Sequence, residues 1–136
     1  MKIMSVDYGD ARTGVAFCDA REILASAYCV IKENYMPKLI DRLVDIADKE
    51  RAEAVVIGLP RNMDGSYGYR ADECKALGDA LGEKISIPIY YEDERLTTVI
   101  AHDILSSNNV HGKKRKNTVD AVSAVVILQS FIDKKK

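Results

Sequence analysis

Carboxylates at three places in the sequence have the chemistry and the setting of metal ligands. Asp7 ends a short apolar run, and Asp120 begins an apolar stretch near the end of the chain. Asp93 and Glu94 follow another apolar run. Carboxylate oxygens suit hard ions such as Mg²⁺ and Mn²⁺, and two such ions about 3.5 to 4 Å apart stabilise the attacking and leaving oxygens of a phosphodiester. The pattern predicts a two-metal nuclease site whose candidate acids are Asp7, Asp93, Glu94 and Asp120.

The middle acids belong to the run Glu92–Glu94, which is followed by Arg95. Three consecutive carboxylates repel one another unless a cation or Arg95 relieves their charge. Successive side chains of a strand point to opposite faces, so we expect either Asp93 or Glu94 to face the metals. We favour Glu94, which gives Asp7, Glu94 and Asp120 as the predicted metal ligands, with Asp93 as the alternative.

Each acid also has an ordinary structural interpretation. Asp7 can cap the turn that follows its strand, and Asp93 or Thr97 can cap a helix. Asp120 can offset the helix dipole in a first turn whose N-cap is Thr118. Position in the sequence leaves both interpretations open for each acid.

Basic and polar side chains lie close to these acids in the sequence. The segment Gly58–Ser66 follows an apolar run and supplies groups that bind phosphate oxygens, and a basic cluster precedes Asp120. The segment can also be an ordinary turn and the cluster a solvated loop. The candidate substrate-binding residues are Arg12, Arg61, Asn62, Ser66, Arg70, Arg95, Thr97, Lys113, Lys114, Arg115 and Lys116.

The charge distribution is compatible with a polyanionic substrate. The 136 residues have a formal net charge of -1, which taken alone argues against a polybasic nucleic-acid-binding protein. The first 110 residues, however, carry 13 basic and 19 acidic side chains (net -6), and the last 26 carry 7 basic and 2 acidic (net +5). The basic excess begins just before Asp120, where it can hold phosphates near the acids.

The elements that must position these residues follow from the spacing of apolar side chains. Short connections between the first three runs predict an antiparallel meander, and two helical crossovers extend it into a mixed sheet. The predicted strands are Ile3–Val6, Gly14–Cys18, Ala27–Ile31, Ala54–Gly58 and Ile87–Tyr91, the last two buried, and the predicted helices are Pro37–Arg51, Arg70–Leu81, Thr97–Leu105 and Thr118–Ile132.

Length and cysteine content indicate a single cytoplasmic domain over residues 1–136. A chain of this length can bury a core without disulfides or structural metals. Cys18, Cys29 and Cys74 are odd in number and widely spaced, which favours a reducing compartment. No apolar run is long enough to span a membrane, so we expect no membrane association.

Taken together and in order, these motifs resemble those of the YqgF/RuvX family of RNase H-like nucleases, over essentially the whole chain. Four ordered matches are far more specific than any one of them. The matching segments are Asp7–Gly9 with Arg12–Ala16, Gly58–Ser66, Asp93–Thr98 and Lys116–Ala121.

The resemblance implies an α/β fold of the RNase H type, with a mixed five-stranded sheet flanked by helices. It also implies catalysis by Asp7, a carboxylate of Asp93–Glu94, and Asp120, with Mg²⁺ or Mn²⁺ as cofactor. The implied reaction is maturation of the 5′ end of pre-16S ribosomal RNA. The expected partner is thus a pre-rRNA, bound by a monomer or a homodimer.

Three other functions remain open at this point. A Holliday junction resolvase would use the same chemistry on branched DNA, and would need a dimer that matches the symmetry of the junction. An actin-like or sugar-kinase phosphotransferase shares the turn Asp7–Ala16, but it needs a cleft between two such domains. A non-catalytic RNA-binding module would depend on the basic cluster Lys113–Lys116 alone.

Overall fold

The computed structural model of the chain describes residues 1–9, 11–19, 21, 24–60, 68–93 and 112–134, the last segment with side chains from residue 122 onward. The predicted helix Thr97–Leu105 lies outside these residues. The elements, in chain order, are β1 (Ile3–Asp7), β2 (Thr13–Cys18), β3 (Ala25–Ile31), α1 (Met36–Glu50), β4 (Ala54–Leu59), α2 (Tyr69–Gly82), β5 (Ile89–Asp93) and α3 (Gly112–Lys134).

The five strands form one mixed sheet in the order β3-β2-β1-β4-β5. β1 pairs antiparallel with β2, and β2 pairs antiparallel with β3, which forms the meander. β4 lies parallel to β1, and β5 lies parallel to β4, because α1 and α2 supply the crossovers that parallel neighbours require. The predicted architecture, a meander extended by two parallel strands, is confirmed.

Helices cover both faces of the sheet because its strands are apolar on both sides. β4 is buried along its whole length, as predicted for a strand covered on two faces. One core contains Leu39, Leu43 and Leu77 of α1 and α2. The other contains Ala124 and Leu128 of α3. Within the described segments, no helix combines the length and apolar character needed to cross a membrane.

The prediction that β5 is a buried strand is wrong. β5 begins at Ile89 rather than Ile87, and it lies at the end of the strand order, with one neighbour in the sheet. Tyr90 and Tyr91 are accordingly 42% and 37% exposed. A run of apolar residues does not reveal whether a strand is central or at an edge.

The interpretation of Thr118 as an N-cap is also wrong, because α3 begins at Gly112. Lys113–Lys116 therefore form part of the helix instead of a solvated loop. Lysine and arginine are good helix formers, so a basic cluster before an apolar helix can extend that helix.

Candidate active site

The carboxyl ends of β1, β4 and β5 meet at one side of the sheet, which we call the carboxyl edge. Asp7 is the last residue of β1 and pairs with Gly14 of β2. β4 and β5 run parallel to β1 and end at the same edge. Ligands of α/β sheets bind in the crevice outside the carboxyl ends of such strands. Asp7 therefore lies where a ligand can reach a half-buried carboxylate.

Asp7 is on the face of the sheet that α3 covers. Alternation along β1 assigns Ile3, Ser5 and Asp7 to one face. Ile3 belongs to the core beneath α3, and the Ser5 hydroxyl donates a hydrogen bond of 2.7 Å to the Ala124 carbonyl of α3. This buried bond fixes the distance between the middle of β1 and the helix.

Alternation along β5 separates the candidate acids of that strand. Glu92 accepts a 2.7 Å hydrogen bond from Ser130 of α3, and the Tyr91 hydroxyl lies 3.5 Å from the Lys75 carbonyl of α2. Even-numbered residues of β5 therefore face α3 and odd-numbered ones face α2. Asp93 is thus assigned to the face opposite Asp7.

α3 contacts three strands of the sheet. Ser5, in the middle of β1, bonds Ala124, and the Ala25 amide at the start of β3 donates a 3.0 Å hydrogen bond to the Gln129 side chain. Ser130 and Lys134 bond Glu92 of β5. Asp120 is one turn, about 6 Å along the helix, before Ala124. Asp120 therefore belongs to the helix that covers the face of the sheet bearing Asp7.

Two predicted substrate-binding arginines lie beside the end of β1. The Arg70 guanidinium, in the first turn of α2, donates 3.4 Å to the Tyr8 carbonyl. Arg12 follows a tight turn in which a Cβ at Gly9 would collide with the Arg12 carbonyl oxygen, so this position requires glycine. Among the residues that the structure describes, the buried Arg12 Nε has no hydrogen-bond partner. A donor in that state is costly unless a ligand satisfies it.

Most of the other predicted site residues cannot be placed as side chains. Glu94 lies outside the described residues, and Asp120 is described only as part of the helical backbone. No group of three potential metal ligands occurs among the residues whose side chains are described, of which Asp7 is the one predicted ligand. An all-carboxylate donor set nevertheless fits Mg²⁺ or Mn²⁺. Five further candidates lie outside the described residues, namely Arg61, Asn62, Ser66, Arg95 and Thr97. Lys113–Lys116 are described only as part of the helical backbone.

Glu50 and Tyr28 have shifted pKa values and form, together with Lys2, a cluster away from the carboxyl edge. Hydrogen bonds from Lys2 Nζ and the Tyr28 hydroxyl, both 3.1 Å, lower the pKa of Glu50. Desolvation, followed by the bond to Glu50, raises the pKa of Tyr28. This cluster joins the start of β1 and the end of α1 to β3.

Sequence reasoning missed the partners of Glu92. This side chain is 5% exposed, and besides Ser130 it contacts Lys134, whose Nζ lies 2.9 Å from Oε2. Ser130 and Lys134 are four residues apart and thus share one side of α3. The spacing of Ser130 and Lys134 can be read from the sequence. Their pairing with Glu92 cannot, because these residues lie 38 and 42 positions from it.

Comparison with known proteins gives matches along nearly the whole chain. Residues 1–134 match a family model described as RuvX, Holliday junction resolvase. A protein of Heliobacterium modesticaldum named "Putative pre-16S rRNA nuclease" is 38% identical over 135 residues, 99% of this chain and 91% of that protein. A protein of Bacillus cytotoxicus with the same name is 36% identical over 137 residues, covering 99% and 100%.

Solved structures similar to this chain include resolvases. The chain resembles RuvC of T. thermophilus in complex with a Holliday junction, with a TM-score of 0.64 and 13% identity over 99% of this chain and 96% of the other. It also resembles the fowlpox virus Holliday junction resolvase, with a TM-score of 0.62 and 10% identity over 100% of both chains. At these identities the likeness concerns the fold, which is that of RNase H-like resolvases.

Proposed function

Because this chain belongs to the RuvX family, we propose that it is a metal-dependent endonuclease that processes the 5′ end of pre-16S ribosomal RNA. As a member of that family it is a hydrolase of phosphodiester bonds in nucleic acid. The names of its relatives favour a ribosomal RNA precursor over other nucleic acids. The observation that carries the proposal is that Asp7 ends β1 at the carboxyl edge, where the parallel strands β4 and β5 also end, on the face of the sheet that α3 covers.

Asp7, Glu94 and Asp120 would hold Mg²⁺ or Mn²⁺, which when bound activates water and offsets charge on the phosphate. The face of β5 that bears Glu92 supports Glu94, since residues 92 and 94 of a continued strand share a face. Asp120 is supported by its place on α3, one turn before Ala124, whose carbonyl accepts the Ser5 bond on the face of β1 that also bears Asp7. Asp93 is disfavoured because it is assigned to the other face.

Basic residues on two sides of the acids would bind the phosphate backbone. Arg12 and Arg70 flank the end of β1, and the unpartnered Nε of Arg12 is a donor that a phosphate oxygen can satisfy. Lys116 is one turn before Asp120 on the same side of α3. The remaining proposed contacts come from Arg61, Asn62, Ser66, Arg95, Thr97, Lys113, Lys114 and Arg115. This reaction would place the protein in the cytoplasm.

The proposal is tested with an RNA fragment that contains the 5′ leader of 16S rRNA. Asp7→Asn should abolish Mg²⁺- or Mn²⁺-dependent cleavage while RNA binding in a mobility-shift assay is retained. Asp45→Asn, an exposed acid in the middle of α1, is the matched control and should cleave like the wild type. Metal-dependent cleavage by purified Asp7→Asn would contradict the assignment of the site.

A second candidate, a Holliday junction resolvase, is favoured by the family description and by the resolvase fold. Symmetric cutting of a junction requires two active sites related by two-fold symmetry. Cleavage of a four-way DNA junction should be measured beside that of the RNA, and oligomeric state by analytical ultracentrifugation. Paired symmetric cuts by a dimer, with no RNA cleavage, would replace the first proposal by this one.

A further inference from the structure

The pattern of side chains along β5 specifies its register poorly. β5 is an edge strand with exposed or half-buried residues at all positions but Glu92. Tyr90 and Tyr91 are the same residue type on opposite faces, so the slip that brings Tyr91 to the place of Glu92 would again place a tyrosine, Tyr90, against α2. Such a slip would also move each acid of the strand to the opposite face.

Glu92 is the residue of β5 that distinguishes the observed register from a slipped one. Its carboxylate is 5% exposed, receives the Ser130 hydroxyl at 2.7 Å, and lies 2.9 and 3.1 Å from Lys134 Nζ. A slip by one position would replace it at α3 by Tyr91 or Asp93. Tyr91 carries no charge for Lys134, and the shorter side chain of Asp93 reaches less far.

This contact lies in the same row of the sheet as Asp7. Val6 of β1 is paired with Ile57 of β4, and Glu92 is paired with Gly58, the next residue of β4. Glu92 is therefore two strands from Asp7, roughly 10 Å at the usual spacing. Two residues along a strand span about 7 Å, so the position of Glu92 determines the position of the next residue on the same face of the strand.

The same contact anchors α3 independently of Ser5. Ser5 bonds the helix at Ala124, and Glu92 bonds it at Ser130 and Lys134. These contacts hold α3 against two strands of the sheet, β1 and β5, on the face that bears Asp7.

We propose that Glu92 is a positioning residue that sets the register of β5 against α3, and with it the face of the sheet to which the strand directs Glu94, a metal ligand in the proposed function. This inference rests on the proposed function. Because both of its oxygens are used by α3, Glu92 is not itself a metal ligand. A buried ion pair is weak support for stability, whereas it is well suited to select one register among several.

The test compares Glu92→Gln, Lys134→Met and the double variant with the wild type, in kcat and KM for RNA cleavage and in Mn²⁺ affinity by calorimetry. A positioning pair predicts that both single variants lose about tenfold in kcat and bind Mn²⁺ more weakly, with KM unchanged. The double variant should be no worse than either single one. Lys134→Arg should restore most of the activity.

Opposite changes in Mn²⁺ affinity would overturn the inference, because a residue acting through its charge alone gives weaker binding in Glu92→Gln and tighter binding in Lys134→Met. Unchanged kcat and Mn²⁺ affinity, with only a lower melting temperature, would also overturn it. If Glu92→Gln fails to fold, Ser130→Ala replaces it in the comparison, because it removes the hydroxyl that donates to Glu92. Glu50→Gln, which removes the ion pair to Lys2, is the matched control and should leave both quantities unchanged.

The proposed function can fail separately. If the wild type binds Mn²⁺ but cleaves neither RNA nor DNA, the nuclease assignment is wrong, and the Mn²⁺ affinities of the variants still decide the role of Glu92.

Discussion

The two faces of the sheet are built from different side chains. The face beneath α1 and α2 presents large apolar residues, namely Met4, Val6, Val15, Phe17, Ile31, Val55, Ile57 and Leu59. The face beneath α3 presents many small or polar ones, including Ser5, Ala16, Cys18, Ala25 and Ala54. Large side chains bury more apolar area and hold helices at a distance, whereas small ones let a helix backbone approach the sheet.

The difference indicates that the face beneath α1 and α2 mainly stabilises the fold, whereas the face beneath α3 mainly positions that helix against the strands. On the α3 face, close approach allows the Ser5 hydroxyl to reach a helix carbonyl directly. Ser130 and Lys134 make side-chain bonds to the same face through Glu92. The candidate acid Asp7 is on this face, so the side with less apolar bulk is the one on which geometry matters for the reaction.

The sharpest test of this comparison uses two neighbouring acids, Glu94, which is a proposed metal ligand, and Asp93, which is assigned to the face opposite Asp7. Glu94→Gln should lower kcat by roughly 10³-fold, because a lost metal ligand costs several kcal/mol of transition-state stabilisation. Asp93→Asn should change kcat by less than about threefold. Single-turnover cleavage at saturating Mn²⁺ measures both. Equal losses would mean that the acids are not separated by face.

The apolar face should respond in stability and not in catalysis. Leu43→Ala removes a side chain of α1 that is 0% exposed, and should lower the free energy of unfolding by about 2 to 5 kcal/mol. Urea denaturation measures this change. At a temperature where the variant is folded, kcat should match the wild type, and a large loss of kcat would break the division between the faces.

Ser5→Ala should show the reverse balance. Loss of the hydroxyl removes one buried hydrogen bond and should cost about 1 kcal/mol in the free energy of unfolding. Because the bond fixes α3 against β1, we expect kcat to fall more than in Leu43→Ala despite the smaller loss of stability. Ser26→Ala, at an exposed position of β3, is the control. The ratio of the kcat loss to the stability loss decides the outcome.

The smallest effect is expected at Glu50, far from the carboxyl edge. Its pKa is lowered in the folded state by the hydrogen bonds from Lys2 and Tyr28. The stability it adds is therefore present above the pKa of the unfolded chain and is lost as pH falls through the folded pKa. The melting temperature of Glu50→Gln should lie slightly below that of the wild type at pH 7, and the difference should vanish at acidic pH. A difference that persists there would contradict this origin.

The sequence predicts the central strands of the sheet correctly because each is a short apolar run. Asp7 ends an apolar run at a strand end, and Ala54–Leu59 is buried on both faces, so local pattern and position agree. The face of Asp93 was not predictable, because Tyr90 and Tyr91 do not alternate in polarity and the start of β5 was placed two residues early. The sequence predicts too late a start for α3, because a run of charged residues is compatible with a loop as well as with the first turns of a helix.

The contacts that the sequence did not predict join residues that are far apart in the chain. The partners of Glu92 and Ser5 belong to a helix that is distant in sequence, and no local sequence pattern indicates these pairings. The roles of Glu94, Asp120 and the basic residues therefore stay predictions.

The hydrogen bond between Ser5 and Ala124 joins residues 119 positions apart, which has a consequence for synthesis. A ribosome translates β1 at the start and α3 after every other described element. Until α3 has emerged, a nascent chain exposes the small-residue face of its sheet and lacks Asp120. On the proposed function, the enzyme acquires its activity only after translation of α3, in one late folding step that also covers the exposed face.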